Sequence, residues 1–167
     1  YKTREKIYKS EIYSELSMQL INHGYANLAL EYNNKGIELD EILFQDKKLY
    51  SDDDISYERV MNYQSIGLAY INVGNISKAR EYLIRAVNII QNNYEYFLNE
   101  DNYIYPNTLN LLGLTFSEVG QNELGLNFFR ESLKEYQKLK IYDSWSMYPL
   151  SNIGILFAPN IVFVISI

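Results

Sequence analysis

Apolar residues along this chain return every three or four positions. Ile66-Gly67 and Tyr70 stand at i, i+1 and i+4, and Gly74 follows; Ala79, Leu83 and Ala86 then stand at i, i+4 and i+7. That is the period of a helix face, since a strand would alternate every second residue. The pattern predicts two amphipathic helices, about 57–73 and 77–98, broken at Gly74-Asn75 because glycine takes left-handed backbone angles cheaply at a helix end. Ser77 is the expected cap of the second helix, its hydroxyl accepting from a free first-turn amide. Gly67, Ala79 and Ala86 are small enough to let neighbouring helices approach, while Tyr70 and Leu83 fill the space between them.

The pattern recurs. Leu112-Gly113, Phe116, Gly120, Gly125, Phe129 and Ser132 keep the same offsets. A looser copy is Leu16-Ser17, Leu20, Gly24, Ala29, Asn33 and Gly36, and Ile153-Gly154 with Phe157 begins another. The equivalent positions Ser17, Gly67, Gly113 and Gly154 are separated by 50, 46 and 41 residues. Self-similarity at a period of tens of residues marks a helical array.

These residues resemble the tetratricopeptide repeat family: an aliphatic–Gly pair, an aromatic three residues on, a turn Gly, then small, large and small residues. The spacing exceeds the family's usual 34-residue period. Longer repeats of this kind resemble those of kinesin light chains and of peptide-sensing regulators in Gram-positive bacteria. The resemblance implies an all-α fold, a right-handed superhelical array of antiparallel hairpins with about seven helices. One repeat domain is expected over 1–157, with hairpins at about 3–48, 57–98 and 105–140 and a half repeat at 145–157, followed by an apolar tail, 158–167.

Between these elements the chain carries ordinary punctuation. Ser51-Asp52-Asp53-Asp54 lacks the alternating ligands, central Gly and distant Glu of a calcium loop, and is expected to be a polar turn that places a carboxylate near a helix start. Pro106 suits a first helical turn. Tyr142-Asp143-Ser144 is a turn with a cap. His23, the sole histidine, suits a helix C-terminus, where the dipole favours it. The final run, Ile161 to Ile167, is apolar and β-prone, and would tuck into the last groove, pair with another chain or promote aggregation. A chain that begins at Tyr1 also fits a domain cut from a longer protein.

Composition narrows the chemistry. The 167 residues contain no cysteine, so disulfides, thiol catalysis and cysteine zinc sites are excluded. With 15 Lys and Arg against 21 Asp and Glu, the net charge is −6. Nucleic-acid binding by this segment is disfavoured, because phosphate contacts need basic clusters. No apolar run has the length of a membrane span and no signal peptide is seen, which sets cytoplasmic residence as the expectation. No triad or metal set is visible, so no enzyme activity, cofactor or metal is expected. The 17 Tyr suit an array in which rings are buried and hydroxyls reach outward.

The resemblance also implies a site. In this family the first helix of each hairpin lines a concave face, and the repeat offsets place Glu11, Ser14, Met18, Ile21 and Asn22 there. Met61, Gln64, Leu68, Ile71 and Asn72 follow, then Asn107, Asn110, Leu114, Ser117 and Glu118, then Tyr148, Ser151 and Ile155. From these the expected peptide-binding set is Asn22, Met61, Gln64, Leu68, Asn72, Asn107, Asn110, Leu114, Glu118, Tyr148 and Ser151. An Asn or Gln amide both donates and accepts, so it can hold an extended peptide backbone from both sides. No Lys or Arg falls on the face, which argues against recognition of a C-terminal carboxylate and for a neutral or basic peptide. The expected function is a protein- or peptide-binding scaffold, as the sensor part of a larger bacterial regulator. The alternative is a structural module that self-assembles as a homo-oligomer through its incomplete C-terminal repeat. A third reading, a phosphatase-like regulator, would need turnover that depends on His23 or a carboxylate.

Overall fold

The computed structural model describes residues 2–45 and 52–157. The expected extension of the second helix to residue 48, Ser51 and the apolar tail 158–167 lie outside them. The described residues form eight helices: α1 (Lys2–Asn22), α2 (Ala26–Gln45), α3 (Asp52–Asn72), α4 (Ile76–Asn92), α5 (Tyr94–Glu100), α6 (Ile104–Ser117), α7 (Asn122–Lys138) and α8 (Met147–Phe157). The fold is all-α, with one helix more than the spacing predicts.

The extra helix corrects the expected single span 77–98. α4 stops at Asn92, and Asn93 leaves helical geometry at φ −130° and ψ 36° before α5 begins. The break redirects the chain so that Phe97 enters the core beside Val60, Ala86, Ile90 and Ile104. Asparagine is a poor interior helix former, and Phe97 rewards the turn with buried area. α3 begins at Asp52, five residues before the expected start. The expected Ser77 cap is corrected too: Asn75 caps α4, its side chain accepting from the Lys78 amide at 3.3 Å. Pro106 does fall in the first turn of α6 and is buried there.

The three hairpin turns share one mechanism. Gly24, Gly74 and Gly120 have φ of 83°, 75° and 76°. At each, the glycine amide donates to Ile21, Ile71 or Ser117, and the next amide donates to Leu20, Tyr70 or Phe116. That pair of bonds satisfies carbonyls the helix end would otherwise leave open. Within hairpins, the pattern glycines are sites of close approach. A Cβ on Gly67 would lie 2.6 Å from Leu83 Cγ, and one on Gly113 would lie 2.6 Å from Phe129 Cε1. Ser17 occupies the same position in the first hairpin and is buried, its Oγ donating to the Ala29 carbonyl at 3.0 Å.

The hairpins stack in order. α1 packs on α2, α3 on α4 and α6 on α7, while α2, α4 and α7 each pack on the first helix of the following unit. The first helices also touch one another in sequence, α1 to α3, α3 to α6 and α6 to α8. They form an inner layer, with α2, α4 and α7 outside.

Candidate functional site

The inner layer holds two adjoining grooves that share Met18 and Met61. One, of about 440 Å³ between α1 and α3, is lined by Glu11, Ser14, Glu15, Met18, Gln19, Tyr57, Glu58 and Met61. The other, of about 330 Å³, runs from Met18 and Met61 past Gln64, Asp101, Tyr103, Ile104 and Asn107 to Trp145. The surface they form crosses α1, α3, α6 and the turn before α8. Among the lining residues there are four carboxylates and no Lys or Arg.

Of the residues expected to bind peptide, Met61, Gln64 and Asn107 come together here, as do the inner-face positions Glu11, Ser14 and Met18. Gln64 is buried, and its Nε2 donates to the Ile104 carbonyl at 2.9 Å and to Thr108 Oγ1. That amide ties α3 to α6 and gives the groove a rigid floor. Asn110 is also buried, and its Oδ1 accepts from Asn152 Nδ2 at 2.9 Å, which joins α6 to α8. Leu68 and Leu114 pack against the core of Leu83, Leu111 and Leu112. These four residues build the stack, and their side chains are spent on helix–helix contact.

The remainder lie apart from the grooves. Asn72 is exposed and donates to the Leu68 carbonyl at 3.0 Å, a local bond at its own helix end. Asn22 and Glu118 are exposed at the ends of α1 and α6. Tyr148 and Ser151 are exposed on α8, with the Tyr148 ring 5.7 Å from that of Trp145.

Several groove residues escape the repeat offsets. Tyr57 and Glu58 come from the early part of α3, which the repeat pattern does not cover. Asp101 and Tyr103 come from the long connection between α5 and α6, and Trp145 from the turn before α8. The Tyr57 hydroxyl donates to Asp101 Oδ2 at 3.4 Å, and the Tyr103 hydroxyl donates to Asp143 Oδ2 at 2.8 Å. Asp143 in turn accepts from the Trp145 and Ser146 amides, so the α7–α8 turn fixes Trp145 at the groove end. A long interval between repeats was the available signal, since additional residues there must lie over one face of the stack.

The electrostatics are one-sided. Burial, then the charges of Glu11 and Asp40, push the Glu58 carboxyl up to about 7. Behind the groove, Asp40 is fully buried among α1, α2 and α3; Ser10 Oγ donates to its Oδ1 at 2.6 Å and Asn62 Nδ2 to its Oδ2 at 2.8 Å. Desolvation outweighs those bonds and raises Asp40 to about 6. No group of His, Asp or Glu among the described residues is arranged to hold a metal ion.

Comparison with known proteins agrees with this architecture. Residues 62–93 match the tetratricopeptide repeat family model. No curated protein sequence matches the chain. Among solved structures, BtubC (BKLC) from P. vanneervenii is similar, with a TM-score of 0.60 over 97% of this chain and 68% of that one, at 18% identity. The likeness is one of fold, an array of helical hairpins. Tetratricopeptide repeats generally mediate protein–protein interaction or scaffolding. No helix among the described residues is long and apolar enough to cross a membrane.

Proposed function

We propose that this chain, with a tetratricopeptide repeat at 62–93 set among like hairpins, is a scaffold that binds an extended segment of a protein partner along its inner layer. The continuity of the two grooves through Met18 and Met61 carries the reading. A peptide lying across α1, α3 and α6 would meet thioether and aromatic walls for apolar side chains and the amide of Asn107 for its backbone. Methionine suits such a wall because its unbranched thioether adapts to different shapes. Asn107 is half-buried and lines the groove, so it can bind without first giving up a core position. The reading assigns no catalytic step to the chain and leaves α2, α4 and α7 as supports.

The test uses a random library of N-acetylated, C-amidated heptapeptides. The wild-type chain should retain a defined subset. Asn107→Arg, which fills the groove, should release it, and Asn88→Arg, on an exposed position of α4, should not. Retention that ignores Asn107→Arg contradicts the proposal.

A further inference from the structure

The α1–α3 groove is built for more than shape. Ser14 is only 7% exposed, lines that groove and makes no hydrogen bond among the described residues. Its hydroxyl reaches the open groove and shares that space with Glu11, Glu15 and Glu58. None of those three carboxylates has an ion-pair partner among the described residues. They are not placed as a metal cage either. Met18, Met61 and Tyr57 complete the walls with apolar surface.

Resting on inner-layer binding as proposed above, we infer that the α1–α3 groove receives a Lys or Arg side chain of the partner, with Glu11 and Glu58 taking its charge and Ser14 accepting one of its hydrogen bonds. The methylene stem of such a side chain matches the Met and Tyr walls, because long basic residues bury their stems and keep the charged head among polar groups. Charge complementarity selects against an acidic segment as strongly as it favours a basic one. The groups that bear on Glu58 are Glu11 from α1 and Asp40 from α2, both of like charge. A bound cation reverses that field, so binding ionises Glu58 and releases a proton.

The composition of the retained heptapeptides decides the matter. At pH 8, Lys and Arg should be enriched over the starting library by about threefold to fivefold, the size of a partly exposed ion pair. Glu11→Gln and Glu58→Gln, each checked for unchanged helix content, should each reduce that enrichment while still retaining neutral peptides. The enrichment should also weaken at pH 6, where Glu58 carries its proton. Retained peptides without Lys or Arg enrichment, or an enrichment indifferent to both substitutions, overturn the inference and leave inner-layer binding standing. A wild-type chain that retains nothing beyond what Asn107→Arg retains overturns both.

Discussion

At the scale of single residues, equivalent letters in the repeat do different work. Gly67 and Gly113 lie under Leu83 and Phe129, but nothing lies within 4 Å of a Cβ placed on Gly154. Gly113→Ala must push a buried ring and meets the Gly125 carbonyl at 3.1 Å. It should cost about 1–3 kcal/mol, as overpacking does. Gly154→Ala, on the open face of α8, should be neutral or stabilising by up to about 1 kcal/mol, because Ala is the better helix former. Urea midpoints of the two variants check the contrast. The pattern made the glycines visible, but it could not show which had a partner, since that depends on the helix packed opposite.

The buried carboxyl gives a second residue-scale prediction. Asp40 is held at about 6 against an ordinary 3.8. Between these values the unfolded chain releases this proton and the folded chain keeps it. Its contribution is therefore fully present below about pH 4 and lost as pH rises through about 6. Glu58 acts in the same direction up to about 7. The chain should be more stable at pH 5 than at pH 8 as far as these groups decide, and Asp40→Asn should flatten the rise in stability toward acid. Denaturation at both pH values checks this. Asp40 gave no signal in the sequence, because one carboxylate among many reveals its burial only when α1 and α3 close over it.

At the scale of elements, the turns were legible and the irregular connections were not. Gly24, Gly74 and Gly120 announce left-handed helix ends, and the structure has them. α7 ends by the same bonding, the Lys140 amide donating to Gln137 and the Ile141 amide to Tyr136, yet residue 140 is a lysine at φ 57°. Its Cβ is strained there. Lys140→Gly should raise stability by about 0.5–1 kcal/mol, seen as a higher urea midpoint with an unchanged slope. α5 was hidden because the apolar period continues from Ile90 through Tyr94 to Phe97, and the bend at Asn93 is secured by the burial of Phe97. Phe97→Ala should cost about 3–5 kcal/mol. Hydrogen exchange in 94–100 should rise well before exchange in α6 or α7, since Phe97 is the buried residue of α5.

At the scale of the whole molecule, the stack of hairpins is what the repeats foretold, and the grooves are only partly so. Offsets counted from the glycines identify inner helices correctly, which is why Met61, Gln64 and Asn107 meet. They cannot separate inner residues that face the groove from those that bond the neighbouring helix, because both sit on the same side. Gln64 and Asn110 went to the neighbour. Asp101 and Tyr103 lie in the interval between repeats, and Tyr57, Glu58 and Trp145 stand at the starts of their units, ahead of the first counted offset. The acidic character survives the change of membership, since no Lys or Arg lines either groove.

The central claim, that partner segments lie along the inner layer, is tested most directly by the three methionine methyl groups. Met18 and Met61 lie in the grooves, and Met147 is exposed on α8. In a chain labelled with carbon-13 at these methyls, a peptide retained from the library should shift the Met18 and Met61 signals and leave Met147 in place. A saturating peptide that shifts Met147 alone, or none of the three, would contradict the account.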